Sequence, residues 1–319
     1  MSQTLNRIAI VGAGLSGLAC ATQLTGSGRE VRLFDKARGP GGRMSTRRVE
    51  TPLGVVAFDH GAQYFTARGD SFKAQVQAWS EAGLAAPWPS AGPEAWVGVP
   101  GMNAPVKAMA EGQVVAWSTL VEALEPDGAA WRLRTAEGLS DPFDAVILAL
   151  PAEQAAALLA PHDAALAARA AASSTAPCWT VMAAFEARLD LEGDIVREEG
   201  LLGWAARNAS KPGRQGPEAW VVQATPDWSR EHLEAPAETV IETLLGALAR
   251  HVGAPLPAPL SVQAHRWRYA RSSAGEDLAL WSPERRLGCC GDWLSGPRVE
   301  CAWDSGEALA AAMIGSQGA

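Results

Sequence analysis

Arg7-Ile8-Ala9-Ile10-Val11-Gly12-Ala13-Gly14-Leu15-Ser16-Gly17, answered further on by Glu30-Val31-Arg32-Leu33-Phe34-Asp35, decides the fold. Residues 8–11 are consecutive and apolar, which predicts a short strand buried on both faces. The glycines that follow predict a tight turn, then a helix over 15–24 that ends near Gly26 and Gly28. Residues 30–34 predict a second strand, with Asp35 at its C-terminal end. Strand, helix and strand make a β-α-β unit, the opening of a doubly wound sheet. In such a turn Gly12 permits the sharp bend, Gly14 lets backbone approach a pyrophosphate, and Gly17 lets helix and strand pack closely. The helix N-terminus offers free N–H groups and the positive end of a dipole to phosphate. Asp35 is positioned to accept hydrogen bonds from a ribose diol.

Working outward, the next segment runs Asp35-Lys36 and then Arg38-Gly39-Pro40-Gly41-Gly42-Arg43-Met44. Paired glycines plus an arginine suit a loop that passes close to a flavin diphosphate, where a plain NAD domain would run into a helix. Phe58-Asp59-His60-Gly61-Ala62-Gln63-Tyr64-Phe65 suits backbone running along a flat ring. At the far end, Cys290-Gly291-Asp292-Trp293 follows a short strand, and Gly296-Pro297-Arg298-Val299-Glu300 opens a helix. Asp292 is placed to meet a ribityl chain, and the dipole of that helix to face the pyrimidine end of a flavin.

The remaining chain sets the class. It has 319 residues, 48% of them hydrophobic and 19% charged, enough for an ordinary core in one large or two smaller domains. The formal net charge of −8 argues against nucleic-acid binding, although Arg38, Arg43, Arg47 and Arg48 cluster early. No uncharged apolar run is long enough to predict a membrane span. The five cysteines form no C-x-x-C pair, so neither a disulfide framework nor a metal site is expected, and a reducing cytoplasm fits.

Strands are expected at 114–117, 131–135, 145–150, 178–185, 220–224, 262–267 and 287–290, with a turn at Pro126-Asp127-Gly128. Helices are expected over 152–172 with a break near Pro161, over 238–250 with Val240, Ile241, Leu244 and Leu248 inward, and over 299–313. The nucleotide signals sit at both ends. The expected fold is therefore α/β, a Rossmann-type FAD-binding domain with an inserted α+β substrate domain on a mixed or antiparallel sheet. The FAD-binding part is assigned to 1–66, 108–155 and 285–319, and the substrate domain to 67–107 and 156–284.

These four segments in this order resemble the FAD-binding pattern of flavin amine oxidases and their relatives. The closer resemblance is to the renalase family. Its marks are Ser16 in the glycine loop, Asp35-Lys36-Ala37, Gly41-Gly42-Arg43-Met44-Ser45-Thr46, Gly61-Ala62-Gln63-Tyr64, Val99-Pro100-Gly101-Met102-Asn103 and Gln263-Ala264-His265-Arg266-Trp267-Arg268. The resemblance runs from the first strand to the last helix and is loose in the middle third. It implies FAD contacts from Gly12, Gly14, Ser16, Gly17, Asp35, Lys36, Gly42, Arg43, Gln63 and Tyr64, backbone contacts from Gly61 and Ala62, and contacts from Asp292 and Val299 at the ribityl and pyrimidine ends. It also implies oxidation of dihydro isomers of NAD(P), carrying hydride at the 2- or 6-position, to NAD(P)+ with formation of hydrogen peroxide from dioxygen.

A dihydropyridine is an activated hydride donor because its product is aromatic, so orientation matters more than a base. No catalytic triad or metal cluster is evident in the sequence. Tyr64, His265 and Arg268 are the substrate-pocket candidates, although His265 suits a strand histidine satisfied by its neighbours better than a catalytic role, and Arg268 suits an ion pair as well as a substrate phosphate. Thirteen tryptophans against two tyrosines supply abundant wall material, with Trp204 and Trp267 among the candidates. Lys107 is the nearest candidate for an amine-oxidase-type lysine, but its segment reads as a surface helix. Three alternatives stay open: an amine oxidase or carotenoid-type desaturase, for which the chain is short, a flavin-binding redox module without turnover, and an NAD-dependent dehydrogenase, disfavoured by the second glycine pair and by Gly291-Asp292.

Overall fold

The computed structural model describes residues 5–315. Residues 1–4 and 316–319, the outer ends of the expected FAD-binding segments, lie outside the described residues. A six-stranded sheet holds β1 (Arg7–Val11), β2 (Glu30–Phe34), β7 (Val114–Ala116), β11 (Ala145–Leu148), β17 (Leu280–Ser282) and β18 (Leu287–Cys289), in the order β17-β18-β11-β1-β2-β7. All neighbours are parallel except β17 with β18. β1 and β11 lie at its centre, and Ile8, Ile10, Val146, Ile147 and Leu148 are buried with almost no exposure, which explains their unbroken apolar runs.

Helix α1 (Leu15–Gly26) crosses from β1 to β2, and α8 (Val299–Gly315) packs beside it. Their approach depends on Gly306: a Cβ there would lie 2.3 Å from the Ser16 carbonyl oxygen. The Ser305 hydroxyl accepts from Gly291 N–H at 2.8 Å and ties α8 to the end of β18. Helix α2 (Asp70–Glu81) lays Trp79 edgewise and Phe72 at a tilt against Trp303 of α8. It has the Glu300 carboxylate over its start, accepting from Arg68 and Gly69 N–H. Helix α3 (Ala104–Glu111) packs on α1 and β7.

The second large sheet is antiparallel throughout: β12 (Thr175–Phe185), β13 (Ile195–Glu199), β14 (Leu202–Arg207), β15 (Glu218–Ala224) and β16 (Ser261–Ser272), in the order β13-β14-β15-β12-β16. Helix α7 (Ala237–Val252) covers one face with Val240, Leu244, Ala247 and Leu248, and α6 (Pro226–Glu231) starts at Thr225, whose hydroxyl accepts from Trp228 N–H. Smaller pieces complete the chain: the hairpins β3 (Thr46–Thr51) with β4 (Gly54–Asp59) and β5 (Ala85–Pro87) with β6 (Trp96–Gly98), and a small sheet of β8 (Ala123–Asp127), β9 (Ala130–Thr135) and β10 (Gly138–Leu139). Helices α4 (Ala152–Leu159) and α5 (Ala164–Ala171) flank the predicted break at Pro161.

The α/β class with a mixed arrangement of sheets is as expected. Some details differ. The β8–β9 register pairs Pro126 with Trp131 and Asp127 with Ala130, which moves the turn onto Gly128-Ala129. Gly128 takes φ +62° there, a conformation that suits glycine. β12 is buried along both faces rather than alternating, because α7 and the β3–β4 hairpin cover opposite sides. Ile241 is only partly buried, and Ala247 takes its place facing the sheet.

Candidate active site

A cavity of about 2350 Å³ opens between the two large sheets and is lined from both ends of the chain. The turn after β1 forms one wall. Gly12 has φ +105°, and a Cβ there would press to 2.3 Å of the Ala149 carbonyl oxygen. A Cβ at Gly17 would meet the Gly12 oxygen at 2.1 Å. Gly17 lies behind the turn and does not line the cavity, so its role is packing. Gly14 is different: a Cβ there would touch nothing within 4 Å. Its bare backbone faces open space at the N-cap of α1, where no side chain caps the first-turn N–H groups. Asp35 accepts from Ala13 N–H at 2.7 Å and Ala37 N–H at 2.8 Å, which fixes the turn to the end of β2 while its carboxylate still lines the cavity. Ser16, Lys36 and Gly42 line the same region.

Arg43 and Asp292, 249 residues apart, form a two-pronged ion pair at 2.8 and 2.5 Å. Head and tail of the chain meet at this pair. The Arg43 carbonyl accepts from Ala62 N–H at 2.9 Å, and a Cβ on Gly61 would come within 2.0 Å of that oxygen, so the two loops lie backbone to backbone. Gln63 turns its amide back into the protein, donating to the Asp59 carbonyl at 2.6 Å and accepting from Lys211 Nζ at 3.2 Å. Tyr64 tilts against Trp204 with ring centroids 5.6 Å apart, and Arg197 covers the outer face of that indole. Val299 lines the cavity at the start of α8.

Of the pocket candidates on β16, His265 faces inward and Arg268 does not stand free. Both guanidinium nitrogens of Arg268 donate to the Glu234 carboxylate, at 2.7 and 3.1 Å, on the exposed rim. Of the two roles open to Arg268, the structure shows the ion pair. His265 sits in a tight group: His60 stacks on Trp267 at 5.1 Å, His265 meets both rings edge-on, and the Trp267 indole donates to the His60 carbonyl at 2.8 Å. Burial, and then the Arg47 charge, push His265 down to about 4; burial, then His265 and Arg47, do the same to His60. Neither imidazole is a proton source near neutral pH.

One feature was invisible in the sequence. Behind Gln63, Asp59 is wholly buried against Lys211 Nζ (3.2 Å) and Arg214, and accepts from Thr46 (2.8 Å) and Met102 N–H (2.9 Å). Burial would raise the Asp59 pKa, but Lys211, Arg214 and the Met102 N–H outweigh it and bring it to about 2. Burial lowers Lys211 to about 8, against the pull of Asp59. Lys107, by contrast, is exposed on α3 and pairs with Glu111, away from the cavity.

Two family patterns match the chain: the NAD(P)-binding Rossmann-like domain over residues 10–79 and the flavin containing amine oxidoreductase over residues 90–314. The chain belongs to the flavin-containing amine oxidoreductase family. A zeta-carotene-forming phytoene desaturase of Myxococcus xanthus is 48% identical over 44 residues, a stretch of 14% of this chain and 8% of that protein. A protein provisionally named a protoporphyrinogen oxidase, from Exiguobacterium sp. 255-15, superposes with a TM-score of 0.79 at 12% identity, covering 97% of this chain and 98% of its own. Cyclohexylamine oxidase of Brevibacterium oxydans IH-35A gives 0.73 at 12% identity, over 99% and 100%. Wild-type putrescine oxidase bound to putrescine gives 0.70 at 15% identity, over 98% and 99%. These structures share the fold. As a flavin-containing amine oxidoreductase, the protein is an FAD-dependent enzyme, and among the described residues no helix is long and apolar enough to cross a membrane.

Proposed function

We propose that this enzyme is a renalase-like oxidase: it oxidises dihydro-NAD(P) isomers, with hydride at the 2- or 6-position, to NAD(P)+, and dioxygen takes the two electrons with two protons, one carried by the hydride and one from solvent, to become hydrogen peroxide. The observation that carries this reading is the cavity. A single-ligand pocket is about 300–1,000 Å³, and this one, at about 2350 Å³, leaves space beyond one bound nucleotide. Eleven arginine and lysine side chains line it against four carboxylates, in a chain whose net charge is −8. Basic surface concentrated in one cleft of an acidic protein favours an anionic substrate and draws it in. Simple amines, which carry positive charge near neutral pH, are opposed by the same field.

The residues fit FAD. Gly14 leaves backbone room for a pyrophosphate, and the uncapped start of α1 with Ser16 offers N–H groups to it. Asp35 would hold the adenosine ribose and Lys36 the outer edge, while Gly42, Arg43 and Asp292 would bracket the diphosphate and ribityl chain. Gly61, Ala62, Gln63 and Tyr64 would border the isoalloxazine, with Val299 at its pyrimidine end; Gly12 would shape the turn at the cavity wall and Gly17 would support it from behind. When bound, FAD supplies a two-electron hydride acceptor. The protein then has to hold a dihydropyridine face-on and exclude water, which the Tyr64–Trp204 wall suits. Loss of hydride makes the pyridinium ring aromatic, so no side chain has to remove a proton. The neutral state of His60 and His265 agrees with that requirement.

The division of the chain into FAD-binding segments 1–66, 108–155 and 285–319 and a substrate domain of 67–107 and 156–284 belongs to the same proposal. Within it, α2 is best counted as an arm that rests on the FAD side, since it packs on α8. A cytoplasmic setting is also proposed, supported by five free cysteines, of which Cys20 and Cys290 lie against each other unlinked. The family and the desaturase match keep amine oxidation or desaturation as the second reading. An oxygen-electrode assay tests the choice: with either dihydro isomer, one dioxygen should disappear and one peroxide form per NAD(P)+ produced. Oxygen uptake with simple amines and none with the isomers would reverse the order of the two readings.

A further inference from the structure

The basic cavity has an organised point within it. Arg47, on β3, is half-buried and lines the cavity. It pairs with no carboxylate among the described residues. Its polar contacts reach across to β16 instead: one guanidinium nitrogen lies 3.2 Å from His265 Nδ1, the other 3.4 Å from the Gln263 side-chain oxygen. A guanidinium only donates, so Nδ1 accepts and the ring proton of His265 sits on Nε2. The imidazole and amide therefore hold the arginine in place without neutralising it. Arg38 lines the cavity close by and is also without an ion pair among the described residues. Burial, and then the Arg38 charge, pull the Arg47 pKa below its ordinary value.

Two guanidinium groups that repel each other beside a cavity, one of them desolvated and oriented, are costly unless an anion comes between them. The cofactor pyrophosphate has its own wall in the Gly12–Gly17 turn and the Arg43 loop. The partners of Arg47 both lie on β16, in the antiparallel sheet, whereas the glycine turn follows β1 of the parallel sheet. We propose that Arg47, steadied by His265 and Gln263, is the binding residue for a phosphate of the substrate, with Arg38 as an outer second cation. The assignment rests on the reading of the substrate as a pyridine dinucleotide. It gives His265 the role of a positioning residue, in place of a catalytic one.

The test uses the FAD-loaded enzyme and the variants Arg47→Gln and Arg47→Lys. ADP-ribose, which carries the pyrophosphate but no nicotinamide, is titrated into the oxidised protein and followed by the flavin absorbance. Loss of one charge-assisted contact should raise its dissociation constant about tenfold to hundredfold in Arg47→Gln. The KM for a dihydro-NAD isomer should rise by a similar factor, well beyond any fall in kcat. Arg47→Lys, which keeps the charge and loses the fork, should recover part of the affinity and serves as the folded comparison if Arg47→Gln is poorly produced. FAD per chain should match wild type in both. Unchanged ADP-ribose affinity in both variants would overturn the proposal. So would loss of FAD with ADP-ribose affinity intact, which would make Arg47 a cofactor contact, or failure of the wild-type enzyme to bind ADP-ribose. If ADP-ribose binds through Arg47 but neither dihydro isomer is oxidised, the anion site stands and the substrate assignment in the preceding section falls.

Discussion

At the residue scale, the least replaceable side chain behind the cavity is Asp59. It is fully buried and satisfies two cations, a hydroxyl and a backbone N–H at once. Asp59→Asn would leave Lys211 and Arg214 buried without a counter-charge. Breaking a buried pair from one side costs about 3–5 kcal/mol, and chemical denaturation of the FAD-free proteins should show a loss of that size. The pH dependence should change as well. Asp59 is held at about 2 when folded, below its ordinary value of 3.8, so its contribution is present above about pH 4 and is lost as pH falls toward 2. The Asn variant should lack that portion of the acid limb; a variant as stable as wild type would show that the cluster carries little. The sequence revealed Asp59 only as an acid in a loop, because its cations stand 152 and 155 residues further along. Local pattern carries no trace of such a pair. Arg268 shows the same limit: its partner Glu234 is 34 residues upstream, in the turn between α6 and α7.

At the element scale, the crossing of α1 and α8 sets where the first-turn N–H groups of α1 point. Gly306 makes the crossing possible. A side chain there would meet Ser16 O at 2.3 Å, the Ala19 methyl at 2.9 Å and Cys20 N at 3.0 Å, and two of these are backbone atoms that cannot swing away. Gly306→Val should therefore destabilise the protein by about 1–3 kcal/mol and weaken FAD retention, since the start of α1 must shift. Gly26→Ala at the other end of α1 is the control, because a Cβ there meets nothing within 4 Å. Wild-type stability and FAD content in Gly306→Val would contradict the packing argument. The glycine loop, β1, β2, α8 and the ends of β11 and β18 were legible, because backbone geometry and full burial leave strong local marks. The β3–β4 hairpin was not. Thr46-Arg47-Arg48-Val49-Glu50-Thr51 lacks apolar alternation, since part of it faces a polar cavity rather than a core. β13 and β14 were missed for a related reason: β13 is an edge strand with an exposed Arg-Glu-Glu end.

At the scale of the whole molecule, an acidic chain folds so that eleven of its 27 basic side chains line one cavity, and two segments at opposite ends close it through Arg43 and Asp292. The paired motifs made that closure readable in advance. The charge of the cavity was readable only in part: Arg38, Arg43, Arg47 and Arg48 cluster in the sequence, whereas Arg197, Arg266, Arg268, Arg271 and Arg298 come from β13, β16 and the entry to α8, and only the fold brings these together. That charge is the ground on which the proposed dinucleotide substrate is preferred to an amine. The most direct measurement is anaerobic mixing of the yellow, oxidised enzyme with candidate reductants while the flavin absorbance is followed. Bleaching should be fast with 2- or 6-dihydro-NAD(P), slow with ordinary NAD(P)H, and absent with simple amines. An amine that bleaches the protein faster than either dihydro isomer would contradict the account.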